Sequence, residues 1–116
     1  MTIQEYKEKV KDNFKSSAWD LLEKTVIELE KRGIEPDTIN GFGKHEEWKE
    51  KGIGNKKLSI ETVYRSNGTE DDVTVKLLVY EKISEYTMRR VAFAKIPKNA
   101  SERVINRRID TILENI

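Results

Sequence analysis

Apolar positions recur every three or four residues at the start of the chain. Ile3, Tyr6, Val10 and Phe14 form one stripe behind the capping-box pattern Thr2-x-x-Glu5, and Ala18, Leu22, Val26 and Leu29 form a second. Steps of four residues drift by about 40° each on a helix that turns about 100° per residue, so one straight helix cannot carry both stripes on one face. Ser17-Ala18-Trp19-Asp20 offers a fresh capping box, and Gly33-Ile34 has the form of a left-handed C-terminal stop with its hydrophobic contact. The pattern predicts two helices, about 2–15 and 17–32, with one kinked long helix as the alternative.

Periodicity lapses over 35–57, a Gly-rich connector with glycines at 41, 43, 52 and 54. A period of two then takes over. In "KKLSIETVYRS" Leu58, Ile60, Thr62 and Tyr64 share a face; in "VTVKLLVYEKI" Val73, Val75, Leu77 and Val79 do so; Asn67-Gly68 between them is a turn signal. The third run, "EYTMRRVAFAKI", puts Met88, Arg90, Ala92, Ala94 and Ile96 on one face and Arg89, Val91, Phe93 and Lys95 on the other. A capping box, Asn99-Ala100-Ser101-Glu102, opens a final helix whose stripe is Val104, Ile105, Arg108, Ile109, Ile112 and Ile116. The expected fold is α+β: two N-terminal helices, a three-stranded antiparallel meander, and a C-terminal helix packed on one sheet face, all within a single domain spanning 1–116.

Composition narrows the function classes. The chain has 22 basic and 21 acidic residues, a net charge of +1, so bulk charge gives no argument for nucleic-acid binding and any such role must rest on a local patch. With no cysteine there is neither a disulfide framework nor a thiolate metal site. No apolar run reaches the length of a membrane span, and "MTIQEYKEKVKDNF" is too charged for a secretion signal, which leads to the expectation of a cytoplasmic protein with no membrane partner.

Catalytic signatures fail residue by residue. Gly43-Lys44 is followed by His45 where a phosphate-binding loop needs serine or threonine, and Thr38 stands at the earlier glycine position. His45, Glu46 and Glu47 give one nitrogen ligand and two adjacent carboxylates that diverge on a helix or a strand, so no metal is expected. Asp37, Glu47 and Lys49 fit the short string of a Mg²⁺-dependent nuclease, a remote alternative, but Glu47 lies outside any period-two pattern. No catalytic residue, cofactor or metal is therefore assigned, and the connector is read as a surface segment whose Trp48 either docks on the core or anchors a partner.

A three-stranded sheet with helices on one side leaves its other face for water, a partner or a second copy. On the register above, that face carries Val63, Arg65, Lys76, Leu78, Tyr80, Arg89, Val91, Phe93 and Lys95, more apolar surface than a solvated face needs. The expected function is a small non-enzymatic interaction module, an adaptor or inhibitor, that binds a protein or itself as a homodimer through Val63, Leu78, Tyr80, Val91, Phe93 and Trp48. In the final helix Arg103, Arg107 and Arg108 precede Asp110 and Glu114, the reverse of what the helix dipole favours. Arg89, Lys95, Lys98, Arg103 and Arg107 therefore make the alternative candidate, a basic patch for nucleic acid, unless they pair with carboxylates of the N-terminal helices. The order helix, three strands, helix resembles the layout of the double-stranded RNA-binding domain over about residues 17–116. That family's glycine-proline-histidine turn and lysine-rich helix start are replaced here by the acidic "NGTEDD" and by "PKNASER", so no function is carried over.

Overall fold

The computed structural model describes residues 2–10, 16–43, 56–63 and 74–116. Helix α1 spans Ile3–Val10 and α2 spans Ser16–Lys31. As the first stripe predicts, Ile3 and Tyr6 are buried, and the Thr2 hydroxyl accepts the Glu5 amide at 3.2 Å to cap α1. Leu22, Val26 and Leu29 of the second stripe are fully buried. Phe14 and the junction between the two helices lie outside the described residues.

Helix α2 stops where the sequence predicts. The Ile34 amide donates to Leu29 carbonyl and the Gly33 amide to Glu30 carbonyl, the paired bonds of a Schellman motif, with Gly33 at φ 72°. Its backbone angle is what requires glycine, since a Cβ there would meet nothing within 4 Å.

The sheet departs from expectation. Strands β3 (Lys56–Val63), β4 (Thr74–Ser84) and β5 (Thr87–Ile96) form the antiparallel meander, but a short hairpin, β1 (Thr38–Ile39) and β2 (Phe42–Gly43), extends it. Strand β1 runs parallel to β3, so the sheet is mixed, in the order β2-β1-β3-β4-β5. The first part of the supposed connector thus belongs to the sheet. Asn40-Gly41, both with positive φ (49° and 85°), form the two-residue turn that closes this hairpin. Asn40 also binds its surroundings: its Oδ1 accepts the Thr62 amide at 2.6 Å and its Nδ2 donates to the Tyr6 hydroxyl at 2.9 Å.

Helix α3 (Glu102–Leu113) is capped by Ser101, whose hydroxyl accepts the Val104 amide, two residues later than the capping box predicted. Asn99 is held instead at φ 60° in the turn ahead of the helix. Ile105, Ile109 and Ile112 are buried against the sheet, while Arg108 and Ile116 of the predicted stripe are exposed. One continuous core joins the three helices to Ile39, Leu58, Ile60, Val75, Leu77, Val79, Ala94 and Ile96, the helix-facing residues of the sheet. Each fully buried Leu, Ile or Val side chain contributes about 1.5–3 kcal/mol, so this layer is the main stabilising feature of the domain. No described helix is long and apolar enough to cross a membrane.

Candidate functional site

Strand β5 is an edge of the sheet, bonded to β4 on one side and, among the described residues, to no strand on the other. Its register contains an irregularity that the alternation rule could not foresee. Val79 pairs with Ala92 and Tyr80 with Arg90, which leaves Val91 as an extra residue in a β-bulge. The bulge turns Val91 and Ala92 together onto the core. It also exchanges the faces of everything before it. Arg90, opposite Tyr80, now shares with Phe93, opposite Leu78, the face that none of the described helices covers, the helix-free face in that sense, and its guanidinium sits over the Phe93 ring at 4.8 Å from the centroid. Met88, opposite Lys82, joins them, whereas Arg89 faces Glu81 and binds its carboxylate at 2.9 Å.

The expectation of an open sheet face is therefore corrected in two respects. Val91 belongs to the core side, and Leu78, on the helix-free face, is only 3% exposed. Its neighbours Lys57 and Ser59 are buried as well, so that face is shielded from solvent around Leu78. Burial pushes the Lys57 ammonium below its ordinary pKa, with the Asp37 carboxylate pulling the other way. Val63 and Tyr80 are half-buried. Of the six residues predicted to bind a protein, Phe93 alone is exposed, and Trp48 lies outside the described residues.

What the structure adds is the hairpin itself. Ile83, Tyr86, Met88 and Phe93 are 56%, 91%, 54% and 53% exposed, and all four lie on β4, β5 or the turn between them. Along the helix-free face of β5 the order is Met88, Arg90, Phe93, Lys95, apolar and cationic by turns. Met88 and Arg90 fall on the opposite face from the one their alternation predicts, because a bulge leaves no mark in a single sequence.

The cations predicted as a phosphate-binding patch are divided. Arg103 and Arg107 are exposed on α3, which covers the core side of the sheet, while Lys95 is on the opposite side. Arg89 is committed to Glu81, and Lys98 is half-buried. Helix α3 is instead tied to α2 by other groups: Arg32 binds Asp110 and the Asn106 side chain, and Asn106 donates to the buried Glu28 carboxylate at 3.0 Å. That bond, with a second from Lys31, holds the Glu28 pKa below its ordinary value.

No group of potential metal ligands occurs among the described residues. Asp37 accepts the Leu58 amide at 2.8 Å and so fixes β1 beside β3, while Glu47 and Lys49 of the nuclease string and His45 lie outside the described residues, as do Arg65 and Asn67-Gly68. No protein-family model, curated protein or solved structure matches this chain. The fold defines an α+β domain of three helices against one face of a mixed sheet.

Proposed function

We propose that the chain is a non-enzymatic protein-binding module, of adaptor or inhibitor type, whose docking surface is the outer edge and helix-free face of β5 together with the β4–β5 turn. The observation that carries this reading is the concentration of Ile83, Tyr86, Met88 and Phe93 in solvent on one hairpin. A protein surface tolerates scattered apolar residues, but four large ones beside a strand edge that no described strand pairs form an anchor cluster. Lysine and a bulge are also the means by which edges resist indiscriminate pairing, and Lys95 and the bulge at Val91 restrict which strand can add here. Protection of the edge gives no reason to expose Met88 and Phe93.

Nucleic-acid binding receives less support, because its five residues do not share a surface. The protein-binding reading is tested with the pair Met88→Ser and Phe93→Ser. Both residues are more than half exposed, so the variant should keep the wild-type unfolding midpoint. Partners that the wild-type chain retains from extract should be lost by the variant. Equal capture by the two proteins would exclude this surface.

A further inference from the structure

Residues directly opposite on neighbouring strands of a sheet touch, and like charges so placed repel. On the helix-free face the strands build three rows. Glu61, Lys76 and Lys95 are successive cross-strand partners in one, Ser59, Leu78 and Phe93 in the next, and Lys57, Tyr80 and Arg90 in the third. In the first row Lys76 has the Glu61 carboxylate on one side and the Lys95 ammonium on the other. The alternation of sign breaks at the edge, where an exposed lysine follows a lysine. The second row also stops short, with Phe93 half in solvent beside a fully shielded Leu78. Arg90 ends the third row, and Met88, opposite Lys82, lies beyond it.

We infer that the partner is an extended segment that adds to the sheet as a strand beside β5 and carries acidic and apolar side chains alternately on the helix-free face. This rests on the protein-binding reading above and specifies what is bound. An acidic residue opposite Lys95 restores the sign alternation of the row that begins at Glu61. The next residue on that face, two positions on, is apolar and continues the row of Leu78 and Phe93. The next is acidic against Arg90, and the next apolar against Met88. Main-chain hydrogen bonds along the edge supply affinity that does not depend on side chains, and this pattern supplies the selection.

A second copy of the chain fits the same edge poorly. Two β5 strands related by a two-fold axis at Phe93 set Lys95 of each against Arg90 of the other. With the axis between Arg90 and Phe93, four cations share one patch and no carboxylate among the described residues of β5 lies on that face to neutralise them. Charge complementarity therefore selects an acidic segment over self-association.

The test uses the full chain, labelled with ¹⁵N, and two synthetic strand peptides with threonine at every second position. In one the intervening positions alternate glutamate and valine; in the other, lysine and valine. The glutamate peptide should shift the amide signals of residues 87–96 saturably and bind about tenfold more tightly than the lysine peptide at low salt, a preference that shrinks as salt is added. The double variant Arg90→Glu, Lys95→Glu should reverse the order of the two peptides. Equal binding of both peptides at β5 would overturn the charge pattern and leave the docking surface standing. Signals at 87–96 that neither peptide moves would overturn both. A concentration-dependent dimer, abolished by Phe93→Ser, would assign the edge to a second copy and overturn the inference as well.

Discussion

Asn40 joins three elements through one residue. Its backbone amide donates to Ile60 carbonyl at 2.8 Å, its Oδ1 accepts from the Thr62 amide and hydroxyl, its Nδ2 reaches Tyr6 on α1, and its φ of 49° shapes the turn into β2. Asparagine is among the few residues that tolerate this backbone region, because its short side chain bonds locally. Two substitutions separate its roles. Asn40→Gly keeps the turn and loses the side-chain bonds, at about 1–2 kcal/mol. Asn40→Ala loses the same bonds and adds left-handed strain, so its denaturant midpoint should fall further, by about 1 kcal/mol of additional destabilisation. Equal midpoints for the two variants would show that the turn geometry contributes nothing. The ring of Tyr6, whose hydroxyl Asn40 reaches, also stacks with Trp19 of α2 at 6.1 Å between centroids.

At the scale of elements, the join between α2 and α3 is polar at its rim. Glu28 accepts from Asn106 and Lys31, Arg32 spans to Asp110, and Lys31 approaches Glu102 at 3.8 Å. Because its bonds lower the folded pKa of Glu28 below the ordinary 4.5, the unfolded chain binds the proton more readily. This contribution is complete above pH 4.5 and is lost as the pH falls through the lower folded value. Glu28→Gln should therefore cost about 1 kcal/mol near neutrality, and its deficit against wild type should shrink in unfolding measured at about pH 3. A deficit constant with pH would show that the carboxylate charge is not what ties the helices. The reversed charge order of α3, puzzling in the sequence, leaves Asp110 where Arg32 can reach it and Arg103 and Arg107 in solvent.

Over the whole molecule, one core is shared by every helix and every long strand, so the chain should unfold as a unit. Ile109 is fully buried on the stripe that seals α3 to the sheet. Ile109→Ala should cost about 2–5 kcal/mol, with the transitions seen by far- and near-ultraviolet circular dichroism still coinciding. A variant that lost near-ultraviolet signal first would show α3 to be a separable unit.

The helices, the Schellman stop after α2, the three long strands and the helix-facing residues of β3 and β4 follow from local pattern. Period is a property of neighbours in sequence and a single chain records it, whereas the cap of α3 falls at Ser101 and not at Asn99, where the capping box placed it. The hairpin turned by Asn40-Gly41 lies in the stretch read as a connector, because its two-residue strands give no period to detect and the parallel pairing of β1 with β3 depends on a partner some twenty positions away. The bulge at Val91 and the burial of Leu78 were decided by packing alone. One inserted residue exchanged the faces of Arg89 and Arg90, and that exchange put a cation over Phe93 and Met88 beside them on the free edge. Local sequence determines the helices and the long strands. Which side chains remain in water depends on contacts between residues far apart in the chain, and so the candidate surface emerged only from the tertiary structure.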